Sequence, residues 1–562
     1  MNTKQQRPLA AKPGSPGGSA SSFKALLSAA RGSRFRALRA AGRRRGFIVL
    51  VVMIVIVMVT LAGLSFVMTL STENKAVHRQ GDQLQLDEAL SCGVELIKAF
   101  CSQSAQNRAE AGGTLDNAGV FGDVGIAVDG GAEAGLRLSI LSPHGEESPG
   151  ETPRYGLQNE SARLHLGALI EWEQREPGAA TAALLQLPGM SEATAAAILD
   201  WIDADGQTRP GGAEAEYYAD QGLPYEPRNG VPALLEELLL IRDVSRELLL
   251  GADANRGFPA ASGESPPAFS TAVDVREQDS SWAQLLTVYS AERNTTFDGR
   301  PRINLNEPDL NKLHGQLTEA LERPWADFVV AYRQYGPTEN VPVSGPRRTR
   351  RMRTAGDARS ARSGRRTANE VPLDLSVPAK HDIECILDLV GAAVVMPLRP
   401  DAPEGEPPAV VFGPLPDDPQ ALRDQLPRLA DLTTTTGQQV LYGRVNVNEA
   451  PRSVLLGIPG LDPAVVDRIL ALRSTVADAT DLGRRHALWL VTEGLVDRPT
   501  MRALWPYVTG GGDVFRARIA VRRSDSGRMA RADAVVDAAV FPPRLVYWKS
   551  LSLLSSGPVP AG

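Results

Sequence analysis

A charge-free apolar segment near the start of the chain constrains the fold more than any other feature. Residues Phe47–Leu70 run for 24 positions without a charged side chain. As an α-helix rising about 1.5 Å per residue they reach about 36 Å, enough to cross a hydrocarbon layer of about 30 Å with some tilt. The segment is too long for an ordinary signal-peptide core, and no A-x-A cleavage site follows it. It therefore predicts one membrane-spanning helix.

The charge on the two sides of this segment predicts its orientation. Residues 1–46 contain 11 Lys and Arg and no Asp or Glu. Because the whole chain carries −6, the residues after position 46 sum to −17. By the positive-inside rule, the basic leader stays in the cytoplasm and the acidic bulk crosses the membrane.

The apolar segment continues into an amphipathic stretch without a break. Residues 71–110 are predicted to extend the same helix, because Glu73–Gln106 contains no proline and keeps one apolar face at three- and four-residue steps. The residues on that face are Leu86, Leu90, Gly93, Ile97 and Cys101. A helix of this kind is typical of a subunit that packs against neighbouring subunits.

The junction before the apolar helix resembles the class III leader of type IV pilins and pseudopilins. That resemblance rests on Arg45, Gly46 and Phe47 and implies that a prepilin peptidase cleaves between Gly46 and Phe47, with methylation of the new amino terminus. A 46-residue leader is long for this class. Most members have glutamate at the fifth mature position, where this chain has Val51. A carboxylate at that depth is costly without a partner, and the member that lacks it is the K-type minor pseudopilin of type II secretion, which caps the filament tip.

Strand patterns at both ends of the remaining chain predict one antiparallel sheet. We expect residues 111–142 and 511–562 to form it on the amino-terminal helix, with residues 143–510 inserted as a helical domain. This is an α+β, pilin-like fold. The candidate strands are Gly119–Val128, Leu136–Leu141, Asp513–Arg523, Met529–Ala539 and Leu545–Ser552, with a turn at Ser524–Arg528.

The insertion contains a weak internal repeat. Two of its three copies precede helix-hairpin-helix patterns, near 184–201 and 455–473, in which Gly189 and Gly460 permit the turn and Ser191 and Asp462 cap the second helix. The repeated pieces are Glu160–Leu166, Arg302–Glu307 and Arg444–Ala450.

Two further segments of the insertion lack any apolar period. Residues 346–367 are rich in arginine and are predicted to be a disordered loop. Residues 397–419 are rich in proline and are predicted to be a linker.

The stretch from Asp200 to Tyr218 is the most specific in the chain. It resembles the D-W-I-D…R-P-G-G-A-E…Y-Y signature of the K-type pseudopilins, and residues 157–166 resemble the segment before that family's first helical repeat, with His165 where asparagine is usual. The resemblance implies calcium nearby, although the spacing is not that of an EF-hand. The alternative is a solvated loop tied by Arg209. The candidate ligands are Asp200, Asp203, Asp205, Glu214 and Glu216.

The three cysteines are too few for a disulfide scaffold. Cys92 and Cys101 lie on one helix about 13.5 Å apart, which is too far for a bridge. Cys385 is therefore a possible disulfide partner of either one. The six histidines are scattered, and no nucleophile motif, zinc motif or Walker loop is present. We expect no enzymatic activity.

These patterns together predict a K-type minor pseudopilin. The resemblance implies an inner-membrane protein with a periplasmic body that starts the type II secretion pseudopilus, sits at its tip and takes part in protein export across the outer membrane. Its implied partners are other minor pseudopilins, with no nucleic acid. The alternative is a membrane-anchored, periplasmic helix-hairpin-helix protein for DNA uptake. That function needs basic residues around Gly189 and Gly460, where the sequence has acids instead.

Overall fold

A computed structural model describes residues 47–127, 135–142, 154–251, 281–338, 365–366, 373–397, 409–473, 482–525 and 527–551. The predicted leader, residues 1–46, lies outside this part of the chain. The chain divides into two units, residues 1–80 and residues 81–562. Every strand of the described residues belongs to the second unit.

The α-helices of the described residues are α1 (Phe47–Cys101), α2 (Ala105–Glu110), α3 (Ala118–Phe121), α4 (Leu166–Arg175), α5 (Ala179–Leu184), α6 (Glu192–Ile202), α7 (Ala215–Asp220), α8 (Arg246–Leu250), α9 (Trp282–Leu285), α10 (Leu310–Ala320), α11 (Arg323–Tyr335), α12 (Pro419–Leu432), α13 (Arg452–Leu456), α14 (Pro463–Leu472), α15 (Leu482–Arg485), α16 (Trp489–Thr492) and α17 (Arg498–Leu504). Short 3-10 helices occupy Glu160–Ala162, Leu235–Leu240 and Ile386–Leu389.

The strands are β1 (Val124–Ile126), β2 (Leu136–Leu141), β3 (Gln158–Asn159), β4 (Leu164–His165), β5 (Leu286–Thr287), β6 (Ala291–Arg293), β7 (Ile303–Asn304), β8 (Arg365–Arg366), β9 (Ala393–Met396), β10 (Ala409–Phe412), β11 (Thr433–Thr434), β12 (Val440–Tyr442), β13 (Val445–Asn446), β14 (Val508–Thr509), β15 (Val514–Arg523), β16 (Met529–Asp537) and β17 (Arg544–Ser550).

An antiparallel sheet built from both ends of the chain packs on the carboxyl-terminal part of α1. Its strand order is β1-β2-β15-β16-β17, and β3 also pairs with β15. Leu86, Leu90 and Ile97 of α1 are buried against β2, β15 and β16, as their spacing predicted. Gly93 lets the helix approach closely, because a Cβ atom there would lie 2.6 Å from Ile519 Cγ2. The predicted α+β arrangement of a long helix on an antiparallel sheet is confirmed.

The first predicted strand is wrong over half its length. Ala118–Phe121 is helical, because the Asn117 side chain accepts a hydrogen bond from the Val120 amide and caps the turn. Only Val124–Ile126 pairs with β2. The other four candidate strands correspond to β2, β15, β16 and β17.

Among the described residues, three segments of the insertion share one arrangement. Each begins with a short strand and ends with another, and these two strands pair in parallel. The register places His165 beside Thr287, Asn304 beside Thr434, and Asn446 beside Thr509. The polar side chain of each opening strand then accepts a backbone N–H, at His165 Nδ1, Asn304 Oδ1 and Asn446 Oδ1. The three repeated sequence pieces are therefore equivalent in structure.

Both predicted glycine turns separate a pair of helices. Gly189 (φ 69°) lies between α5 and α6, and Gly460 (φ 74°) lies between α13 and α14. The Ser191 hydroxyl accepts the Thr194 amide, and the Asp462 carboxylate accepts the Ala464 amide, so both predicted caps form. The assignment of these pairs to the helix-hairpin-helix class stays a prediction.

Two segments predicted to lack structure contain strands. Residues 365–366, at the end of the basic run, pair in parallel with Val410 and Val411 of β10. In the proline-rich run, β10 also pairs with β9, and Pro419 begins α12. The four consecutive apolar residues Ala409–Phe412 explain the strand, because Val411 is buried beside Val394 of β9. Residues 346–364 and 398–408 lie outside the described residues.

The predicted disulfide of Cys385 with Cys92 or Cys101 does not form. All three cysteines are free thiols. Cys101 is buried between α1 and the sheet, Cys385 is buried in the separate core of the insertion, and Cys92 is exposed. Cys385 cannot reach Cys101, in the other core, or Cys92, outside both cores, without disrupting the core that buries it.

Candidate functional site

The acidic loop joins α6 to α7 and folds around the buried carboxylate of Asp200. This side chain accepts hydrogen bonds from the backbone amides of Arg209 and Ala213. A Cβ atom at Gly212 would collide with Asp200 Oδ2, so only glycine permits this close approach. Gly212 and Asp200 of the sequence signature therefore stabilise the same loop conformation.

Arg209 lies between two of the predicted ligands. Its Nη1 atom is 2.8 Å from Asp200 Oδ1 and also contacts Asp203 Oδ2. This arrangement matches the alternative interpretation, in which Arg209 ties the acidic loop together. Its single guanidinium, however, contacts only one oxygen of Asp203.

Two carboxylate oxygens of the loop remain buried without a hydrogen-bond partner. They are Asp203 Oδ1 and Glu214 Oε1. Burial raises the pKa of Asp203, and the hydrogen bond and charge of Arg209 oppose that rise. Burial also raises the pKa of Glu214, and the negative charges of Asp200 and Asp203 add to it. An additional positive charge near Asp203 and Glu214 would relieve both effects.

The structure brings together three of the five predicted calcium ligands. Asp200, Asp203 and Glu214 are buried in the loop. Asp205 and Glu216 are exposed, and Asp205 caps a turn by accepting the Gln207 amide. Among the described residues, no group of three His, Cys, Asp or Glu side chains is arranged to hold a metal ion. The orphaned oxygens fit a hard cation, provided that backbone carbonyls supply further ligands.

Residues beyond the signature hold the loop in place. Arg242 donates a hydrogen bond to the Gly212 carbonyl at 3.2 Å, and its guanidinium lies 4.9 Å from the ring centre of Tyr217. Trp201 packs edge-on against Tyr218 and donates to Glu237. Sequence reasoning missed Arg242 and Glu237, because only folding brings them beside the residues that they contact, which are 25 or more positions away in the chain.

The predicted membrane segment is the second candidate site. Within the described residues, α1 is the one helix that is long and apolar enough to cross a membrane. Phe47 is its first residue, whereas Gly46, on the other side of the predicted cleavage site, lies outside the described residues. The cleavage and methylation of this junction stay predictions.

Comparisons with known proteins bear on the insertion. The family model described as type II secretion system (T2SS), protein K matches residues 162–251. No curated protein sequence matches the chain. A solved structure, the GspK-GspI-GspJ complex from the enterotoxigenic Escherichia coli type 2 secretion system, contains a chain that is 9% identical with a TM-score of 0.34. That match covers 84% of this chain and 99% of the other. The segment matched by the family model contains the whole acidic loop and Arg242.

Proposed function

We propose a function from the premise that this chain carries the protein K domain of type II secretion systems over residues 162–251, as the sequence resemblance predicted. The chain is a minor pseudopilin. It begins the assembly of a short periplasmic filament with other minor pseudopilins, remains at the tip of that filament, and takes part in protein export across the outer membrane.

The proposal rests on one observation. The segment that the family model matches, residues 162–251, belongs to a chain that also has an antiparallel sheet packed on a helix whose amino-terminal part is apolar. The apolar part of α1 anchors the protein in the membrane before the protein enters the filament. The amphipathic continuation of α1 packs on the sheet. Val51 supports the tip position. A glutamate at this position would need the amino terminus of the subunit ahead as its partner, and a subunit at the tip has no subunit ahead of it.

The processing of the amino terminus tests the assignment to this class of protein. Mass spectrometry of the mature chain, from cells with and without the prepilin peptidase, should find methyl-phenylalanine at position 47 only when the peptidase is present. An uncut chain, or a cut after residue 70, would exclude a pseudopilin.

Binding to the other minor pseudopilins tests the proposed role. The full-length protein in detergent should co-purify with them, and it should bind duplex DNA only weakly at moderate salt. Glu192 begins α6 and Asp462 caps α14, which places negative charge at the two turns where a DNA-binding hairpin presents its amides to phosphate. Firm DNA binding without pseudopilin binding would favour the uptake function instead.

The same loop leads us to propose a calcium ion as a structural cofactor. Asp203 and Glu214 would hold it through their orphaned oxygens, while Asp200 stays bound to Arg209 and Ala213. The ion would supply the positive charge that these buried carboxylates lack. Elemental analysis of the purified protein and its melting temperature in calcium or in a chelator test this proposal.

A matched pair of variants makes the calcium test specific. Asp203→Asn should abolish the stabilisation by calcium, whereas Asp205→Asn should preserve it, because Asp205 is exposed and occupied by the Gln207 amide. Equal melting temperatures in calcium and chelator, with no calcium in the purified protein, would leave Arg209 as the only cation of the loop.

A further inference from the structure

The sheet face that points away from α1 carries four arginines at one end. Side chains alternate between the two faces of a strand, and the chain neighbours of these arginines are buried in the core beneath α1. Those neighbours include Leu138, Ile519, Val521 and Ala532. The arginines therefore point to the opposite side of the sheet. We call this set the arginine face, and it consists of Arg137, Arg518, Arg522 and Arg531.

The insertion covers the other end of this side of the sheet and leaves the arginine face accessible. Val514 and Val535 pack against Ala291 of the insertion. Towards the turn between β15 and β16, Arg522 is exposed, and the side chain of Arg137 is 42% exposed. A ligand from outside the chain can therefore reach these guanidinium groups.

The positive charges of the arginine face are crowded. Arg522 lies directly opposite Arg137 in the register of β15 and β2, and like charges in directly opposite positions destabilise a sheet. Burial lowers the pKa of Arg531, and the positive charge of Arg518 lowers it further. An anion bound between these side chains would relieve the repulsion.

Two acids offset part of this charge, but neither of them pairs with Arg522. Asp533 accepts hydrogen bonds from Arg518 at 2.8 and 3.2 Å. Asp123 lies 3.4 Å from Arg137, and because both side chains of that pair are exposed, the pair contributes little. Among the described residues, no acid forms an ion pair with Arg522. The arginine face therefore keeps a positive charge that an external anion can bind.

The position of the arginine face in the chain favours a membrane as the source of that anion. The turn between β15 and β16 is held to α1 by Arg523, whose Nη1 atom lies 3.0 Å from Asp82 Oδ1. Asp82 follows Leu70, the last residue of the apolar segment, by 12 positions. Twelve residues span about 18 Å as a helix and at most about 43 Å when fully extended. A membrane that α1 enters would therefore keep phosphate groups near the arginines at a high effective concentration.

We propose that the arginine face binds the phosphate groups of anionic lipids in the membrane that α1 enters, and that it holds the body at the membrane surface before the protein enters the filament. This inference rests on the proposed function, which places α1 in a membrane. Arginine suits the ligand, because its planar guanidinium binds two phosphate oxygens at once.

The charge of the whole body makes a local site necessary. The residues after position 46 sum to −17, so an anionic surface repels the body as a whole and attracts it only at a cluster of positive charge. An acidic protein would match the same arginines, but no part of the chain keeps such a protein nearby. The lipid is therefore the ligand that both the charge and the position of the arginine face favour.

The rate at which an arginine-specific dicarbonyl reagent modifies each side chain tests this inference. The full-length protein is compared in nanodiscs of phosphatidylcholine and in nanodiscs with about a third phosphatidylglycerol. Arg522 and Arg137 should react at least about fivefold more slowly in the anionic discs, because about 80% occupancy leaves a fifth of the molecules reactive. Arg246 and Arg428, which are exposed on the insertion, are the controls and should react equally in both discs. At about 1 M salt, where charges are screened beyond about 3 Å, the difference should disappear.

A double variant tests the same surface through a third arginine. In Arg137→Gln with Arg522→Gln, the half-exposed Arg518 should lose its protection in the anionic discs. In the matched control, Arg246→Gln with Arg428→Gln, the same number of charges is removed from the insertion, and Arg518 should stay protected. Melting temperatures no lower than that of the unchanged protein would show that both variants fold.

The outcomes separate this inference from the proposed function. A protein that enters the discs but reacts equally in both kinds would overturn the lipid site and leave the pseudopilin assignment standing. Equal protection by inorganic phosphate in neutral discs would show a site for free phosphate, and protection in neutral discs only with the co-expressed minor pseudopilins would show an acidic protein surface. Either result would overturn the lipid site. A protein that does not enter the discs would overturn both this inference and the membrane anchor.

Discussion

The Glu160 carboxylate lies 2.6 Å from the Arg516 guanidinium, measured from Oε1 to Nε, and joins the insertion to the sheet. Glu160 opens the first repeat, and Arg516 lies on β15. Glu160 is fully buried, and it also receives the Thr287 hydroxyl and lies 3.5 Å from Arg163. The two parts of the body are therefore connected by a desolvated ion pair as well as by apolar contact.

Removing the charge of Glu160 should destabilise the protein strongly. Glu160→Gln removes the ion-pair partner of the buried Arg516 and Arg163, and we expect the free energy of unfolding to fall by about 3–5 kcal/mol. Urea unfolding of the full-length protein in detergent measures the change. Glu95→Gln removes an exposed partner of Lys98 and should cost less than about 1 kcal/mol. Equal losses in the two variants would contradict this account of Glu160.

The same carboxylate should make the protein sensitive to strong acid. Burial acts to raise the pKa of Glu160, but Arg516 and Arg163 outweigh it and lower the pKa to about 2. A lowered pKa in the folded state means that the stabilisation is complete above the ordinary value of 4.5 and is lost as the pH falls from there towards about 2. Unfolding free energies measured across that range should decline less steeply in Glu160→Gln.

His165 should cause a separate loss of stability at milder acidity. Burial lowers its pKa to about 4 from 6.5, so the unfolded chain takes up a proton before the folded protein does. The stabilisation is present above pH 6.5 and is lost as the pH falls towards 4, by roughly 3 kcal/mol in all. His486 has the same lowered value and will contribute in the same range.

Replacing His165 by asparagine should remove its part of this pH dependence. Asn304 and Asn446 occupy the equivalent positions in the other two repeats, where their side-chain oxygens accept a backbone amide as His165 Nδ1 does. His165→Asn should therefore fold normally and show a smaller loss between pH 6.5 and 4. An unchanged pH profile in thermal melts would assign the effect to His486.

Adding a methyl group at Gly212 should disrupt the acidic loop. Gly212→Ala forces a Cβ atom into Asp200 and should cost about 1–3 kcal/mol in the free energy of unfolding. Gly206→Ala, in the same loop with open space around it, is the control and should be nearly neutral. Thermal melts compare the two, and a neutral Gly212→Ala would show that Asp200 is free to move.

A matched pair of glycines on α1 tests the contact between helix and sheet. Gly93→Ala places its methyl group against Ile519 and should destabilise the protein by about 1 kcal/mol or more. Gly81→Ala lies in open space on the same helix and should stabilise it by up to about 1 kcal/mol, because alanine favours a helix. Chemical unfolding should therefore move in opposite directions for the two variants.

Local rules explain the parts of this protein that could be predicted from its sequence. These parts depend on residues that are close together in the chain. They are the length and periodicity of α1, the hairpin of β15 and β16, and the caps at Ser191 and Asp462. The same rules failed at Ala118–Phe121, where an asparagine cap outweighs strand propensity, and at β10, where pairing with β9 orders a proline-rich run.

The sequence by itself determined that the chain has one long apolar helix, an antiparallel sheet made from its two ends, and an acidic loop that lies in the segment matched by the protein K family model. Only the tertiary structure decided which charges meet. Arg209 contacts Asp200 and Asp203, Arg516 reaches Glu160 across 356 positions, and Cys101 and Cys385 are buried in separate cores. Such pairings depend on the global packing of distant segments, because the free energy of a charge or thiol depends on the neighbours and solvent exposure that folding gives it.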